Sequence, residues 1–179
     1  MKKIFWGMIF VFFNFTLTFN QFKLGLIPDF IGYLLMLSGT LEIFSESDRF
    51  TKVKPVLIIM AVLSTLFYIN DCFGLVNITD QTIILLMNGI LVIGNLYCTY
   101  MITCGVKDVE INHQVDLAAD QLMYRWKVKA MFTILTYLIL FIPMLSFISL
   151  LVSVIFAILY LVAFKRTQRL YEACLTINP

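Results

Sequence analysis

The chain has 179 residues, 61% of them hydrophobic and only 13% charged, against about 25% charged in an ordinary soluble domain. That much apolar surface excludes a water-soluble fold. Spans of about 20 residues each leave room for short loops and for no separate soluble domain. The net charge of +2 is small and the basic residues flank apolar runs, so nucleic-acid binding has no support.

The expected fold is an all-α, polytopic membrane bundle, one transmembrane domain over residues 1–179. Six spans are expected at about 4–19, 27–44, 55–68, 82–103, 128–142 and 146–164, with a cytoplasmic amphipathic helix at about 111–127. The amino end, Met1-Lys2-Lys3 before a Phe-rich run, has the layout of a signal peptide. Residues 14–19 offer no small-residue cleavage pattern, so the run reads as a retained first span. Trp6 beside Lys2 and Lys3 suits headgroup depth. Asn14 and Thr18 lie four apart on one face, and an Asn at depth needs a partner, so this face is expected to point inward or to touch a ligand.

The second span organises the rest. Gly25, Gly32 and Gly39 recur every seventh residue, which at about 3.6 residues per turn makes one narrow stripe where another helix can approach closely. Pro28 fits the first turn, where its missing N–H is harmless. Asp29 in that turn either caps the helix or serves as a functional acid, with Tyr33 four residues on sharing its face. Glu42 marks the opposite end.

Residues 45–54 read as a solvated connector before Pro55 and the third span. The connector at 70–81 holds Asp71 and Asp80 and no Lys or Arg. On the fourth span Asn88, Asn95 and Thr99 form a polar stripe, expected to face inward as interhelical hydrogen bonds or as the lining of a polar cavity. In the segment that follows, Ile111, Val115, Ala118, Leu122 and Trp126 keep an amphipathic spacing, with Asp116 as a cap. Tyr124 and Trp126 are its expected interface anchors. His113, without companions, reads as a solvated side chain. Pro143 breaks the apolar run 130–164 into a short hairpin of two spans.

The phrase LGLIPDFIGYLLMLSGTLEI, residues 24–43, resembles the second span of a family of small integral membrane proteins from Firmicutes-type bacteria with no assigned activity. The likeness continues through Lys54-Pro55, through Asp116-Leu117-Ala118-Ala119-Asp120 with Trp126-Lys127, and into Phe141-Ile142-Pro143. It implies a bacterial membrane address and carries over no catalytic residue.

Charge placement sets the orientation. With both termini cytoplasmic, Lys2, Lys3, Arg49, Lys52, Lys54, Lys107, Arg125, Lys127, Lys129, Lys165, Arg166 and Arg169 lie inside and only Lys23 outside, twelve against one.

Neither a catalytic triad, nor H-E-x-x-H, nor a Gly-rich phosphate loop can be assembled, so no enzyme is expected. Four cysteines without a C-x-x-C or a His cluster suggest neither metal nor cofactor, and Cys98 and Cys104 read as packing residues. No ionisable group is expected within the spans. The favoured reading is a structural or regulatory protein of the plasma membrane that binds a membrane protein partner, or a second copy, through the glycine stripe or the 111–126 face. The alternative is a substrate-binding subunit of a vitamin-type transporter. Size, six spans and inside termini are similar to the substrate-binding components of energy-coupling-factor transporters, although the Phe-rich first span, with only Gly7, departs from their small-residue pattern. A polar pocket joining Asp29, Tyr33, Asn14, Asn88 and Asn95 would favour transport, and a dry bundle the first reading.

Overall fold

Runs of Leu, Ile, Phe and Met without interior charges must satisfy their backbone groups within the segment, and here they do so as helices. The computed structural model describes residues 1–13, 16–19, 22–25, 28–73, 81–139 and 143–177. Six helices follow in order: α1 (Lys2–Phe12), α2 (Asp29–Glu42), α3 (Asp48–Phe73), α4 (Gln81–His113), α5 (Ala119–Ile139) and α6 (Pro143–Ile177). A short antiparallel hairpin, β1 (Thr16–Phe19) and β2 (Phe22–Gly25), joins α1 to α2, with Thr16 opposite Gly25 and Phe19 opposite Phe22.

Consecutive helices pack against one another and α6 returns to α1, so the six form a ring in chain order. Its centre is filled by Ile4, Met8, Met36, Leu57, Met60, Ile102, Leu122, Tyr160 and Phe164, all nearly or fully buried. The outer faces are apolar as well. Ile59, Val62 and Leu66 on α3, Leu86 and Ile93 on α4, Leu138 on α5 and Val162 on α6 are each more than half exposed. Soluble monomers rarely leave so broad an apolar surface in water. Three segments are long and apolar enough to cross a bilayer: Asp48–Asn70, Leu85–His113 and Ile148–Cys174.

Several expected boundaries move. The helix expected over 4–19 stops at Phe12, and β1 takes residues 16–19. The local sequence Thr-Leu-Thr-Phe, rich in β-branched and aromatic residues, favours an extended chain over a helix. Gly25 consequently lies in β2 rather than on the stripe of α2. The connector before Pro55 is helical, so α3 begins at Asp48 and carries Pro55 inside it. The single amphipathic helix expected over 111–127 is two pieces. α4 runs on to His113, Gln114 (φ 53°) and Ala118 (φ 57°) reverse the chain in left-handed backbone, and α5 starts at Ala119. Pro143 opens α6, where a residue without an N–H belongs, and that helix continues through the basic residues to Ile177.

Candidate functional site

One end of the ring gathers charge. Lys3 Nζ lies 2.5 Å from Glu42 Oε1 and Lys2 Nζ lies 3.5 Å from Glu172 Oε2, tying α1 to α2 and α6. Asp108 on α4 accepts from Ser47 Oγ at 2.5 Å and from Arg49 Nε at 2.8 Å. His113, expected to be solvated, lies 2.5 Å from Glu46 Oε2. Glu110 Oε2 accepts from the N–H groups of Leu117 at 2.8 Å and Ala119 at 2.9 Å, holding the sharp turn from α4 into α5. Asp116 caps the same turn through Ala118 N at 2.8 Å. Thr167 Oγ1 donates to Leu117 O at 2.9 Å, so α6 closes over it. The amino ends of α1, α3 and α5 and the carboxyl ends of α2, α4 and α6 therefore share one polar cap.

The glycine stripe is a contact within the chain. A Cβ on Gly39 would come within 2.6 Å of Ile4 Cγ1 and 2.7 Å of Ile4 N, and one on Gly7 within 2.5 Å of Gly32 O. Gly32 and Gly39 let α1 press against the backbone of α2, and Gly7 answers from the other side. The stripe's occupant is α1. Two further glycines, not singled out by spacing, do the same for α3 and α4: Gly94 faces Met60 and Gly105 faces the Phe50 ring.

The unusual chemistry lies away from the cap. Lys129 is ten residues from either end of α5, about 15 Å along the helix in each direction. It is 3% exposed, and its Nζ has no hydrogen-bond partner. Its Nζ lies 3.7 Å from the centroid of the Phe12 ring and 5.6 Å from that of Tyr160. Faces of aromatic rings attract a cation by about 2 kcal/mol when water is excluded, but they are not hydrogen-bond acceptors. Lys129 lines a cavity of about 170 Å³ with Val11 and Phe12 of α1, Val92, Asn95 and Leu96 of α4, Thr133 of α5, and Ser153, Val154 and Ala157 of α6. The amide Oδ1 of Asn95 is also buried without a partner. Among the described residues no carboxylate lines this cavity.

The predicted pocket residues separate. Asn14 lies outside the described residues. Asp29 opens α2 directly after Pro28, with no cap hydrogen bond from the side chain of Pro28, and Tyr33 is buried one turn on at 3% exposure. Neither lines the Lys129 cavity. Asn88, about 10 Å along α4 from Asn95, is exposed. Among the described members of the predicted set, only Asn95 lines the cavity. Of the anchors, Trp6 and Tyr124 are exposed at 53% and 64%. Trp126 instead turns inward, donating from Nε1 to Thr99 Oγ1 at 3.0 Å. Cys98 and Cys104 are buried free thiols, and the described residues contain no cluster fit to hold a metal.

A second cavity, about 510 Å³, lies between α4 and α5 and is lined by Val92, Ile93, Leu96, Tyr97, Trp126 and Ile134 among others. It is almost wholly apolar, as a groove filled by lipid chains would be.

The sequence expectation counted Lys129 among the solvated basic residues flanking the spans, and the structure buries it at 3% exposure against Phe12 and Tyr160. A signal for it was present. The buried face through Leu122 and Trp126, continued by three and then four residues, lands on Lys129 and Thr133. Because Arg125 and Lys127 flank it in sequence, Lys129 looked like the last member of a juxtamembrane cluster. No family model matches the chain, and no curated protein or solved structure matches it.

Proposed function

We propose that the chain is a six-span protein of the bacterial plasma membrane, both termini cytoplasmic, whose bundle binds a small solute as the substrate-binding subunit of a transporter does, without catalysing a reaction on it. The observation that carries this reading is Lys129, a lysine half-way along α5, 3% exposed and without a hydrogen-bond acceptor among the described residues, on the lining of a cavity that Asn95 also lines. An ionisable side chain buried within a membrane bundle is costly, and where one occurs it is a candidate for a substrate or ion path. A dry bundle would have no use for it.

Other features agree. The exposed apolar faces of α3 to α6 suit lipid. With Lys129 withdrawn from the cytoplasmic count, eleven basic residues still oppose Lys23. The bacterial address rests on the resemblance of residues 24–43. Of the two surfaces expected to bind a partner, the glycine stripe is occupied by α1 and the 111–127 face is divided by a turn.

The test is purification from the native membrane into lipid nanodiscs, followed by mass spectrometry of released small molecules and co-purifying proteins. The expected result is a solute near one per chain, depleted by Ala157→Leu, which fills the cavity, together with a transport partner. A wild-type protein that releases no solute would sink the reading.

A further inference from the structure

We infer that the apolar groove between α4 and α5 seats one acyl chain of an anionic phospholipid, drawn from the leaflet on the side of the polar cap, with the lipid phosphate at Lys127. The membrane setting is that of the proposed function, and no solute is involved. On α4 the lining residues Gly89, Ile93, Leu96 and Tyr100 follow one another at four, three and four, which is one face of a helix. On α5 Ile134 and Leu138 line the groove four apart. Seven residues before Ile134 comes Lys127, two turns nearer the cap on the same stripe. Lys127 is exposed, and among the described residues no ion pair holds it. Its neighbours three and four positions away, Met123, Tyr124, Ala130 and Met131, carry no charge. Farther into the cap, Asp108 and Asp120 are already held by Arg49 and Lys107. The cap end of the groove therefore carries one uncompensated positive charge.

Length and thickness select the occupant. From Gly89 to Tyr100 is eleven residues, about 17 Å of helix, and the hydrocarbon of one leaflet is about 15 Å deep, half of about 30 Å. At the cap end Trp126 lies with its ring 4.9 Å from that of Tyr100, and both residue types suit headgroup depth. At the other end a Cβ on Gly89 would come within 2.7 Å of Tyr137 Oη, and the Tyr137 hydroxyl donates to Leu85 O. Tyr137 thus closes the groove one leaflet in. A volume of about 510 Å³ is the share of about 17 waters at about 30 Å³ each, and a methylene is about the size of a water, so one chain of about 16 carbons fills it. A helix of another chain, about 10–12 Å across with its side chains, is too thick. Choline headgroups would bring a second cation to Lys127, whereas phosphatidylglycerol brings its phosphate alone, and basic pockets between spans favour such anionic headgroups.

The experiment is native mass spectrometry of the full chain, purified in mild detergent and offered phosphatidylglycerol and phosphatidylcholine of matched chains in equal amounts. One phosphatidylglycerol per chain is expected to be retained, favoured by about fivefold, roughly the weight of one basic residue at an anionic surface. Ile93→Trp, at a lining position 69% exposed, fills the groove and should remove retained lipid of either kind. Lys127→Gln should keep one lipid and lose the preference, which Lys127→Arg should preserve. Should Ile93→Trp fail to fold, Lys127→Gln decides. Equal retention of the two lipids by the wild type, or phosphatidylglycerol retained unchanged by either Ile93→Trp or Lys127→Gln, would overturn the inference. A chain with no lipid preference that still releases a solute would lose this inference and keep the solute-binding reading. One that stays dispersed in water without detergent would lose both.

Discussion

The polar cap and the middle of the bundle treat charge in opposite ways. At the cap, Asp108 holds Ser47 and Arg49, Glu110 holds two backbone N–H groups, and Lys107 lies 2.5 Å from Asp120. At mid-helix, Lys129 has two aromatic rings and no hydrogen-bond acceptor. Cap charges are half in water, so pairing there costs little and fixes the geometry of turns. A buried charge pays for desolvation whether or not it is paired, and the fold gains nothing from it that Met would not supply. Removing a charge should therefore have opposite signs in the two places.

The largest effect is expected for Glu110→Ala. It strands the N–H groups of Leu117 and Ala119 in the left-handed turn, and unfolding of the detergent-purified protein should show a loss of about 2–4 kcal/mol. Asp108→Ala is next, releasing Ser47 and Arg49 at a cost of about 1–2 kcal/mol in the same assay. Lys129→Met should fall within about 1 kcal/mol of wild type or be more stable. A large destabilisation by that substitution would mean that the lysine is structural and would erase the contrast. Smallest of all, Lys107→Ala should leave the unfolding midpoint unchanged, since its pair with Asp120 is exposed on both sides and screened by salt.

Much of the architecture was legible in the chain itself. Helical segments, the break at Pro143 and the close-packing role of Gly32 and Gly39 all follow from local periodicity, because a helix repeats its faces regardless of what lies beside it. Asn95 was legible as an inward polar residue for the same reason. The failures came where a rule of local pattern met a neighbour it could not see. Thr16 to Phe19 continue the apolar run of α1 yet pair with Phe22 to Gly25, and strand pairing depends on a partner segment. The face from Ile111 to Trp126 keeps helical spacing across a chain reversal, and that reversal is held by the side chain of Glu110, reaching Leu117 and Ala119, together with Asp116 and Thr167.

By itself the sequence determined the chemistry of surfaces. It set which runs are too apolar for water, which ends carry charge, and where backbones can touch, because these depend on composition and period alone. Only the tertiary structure decided which of the basic residues in the first half of α5 faces outward and which faces the interior. Helical geometry turns Lys127 to the outside and Lys129 onto the face shared with Leu122 and Trp126. It is the arrival of Phe12, Asn95 and Tyr160 from three other helices that removes water from that lysine. Burial is a property of neighbours, and they come from positions 34 and 117 residues earlier in the chain and 31 residues later.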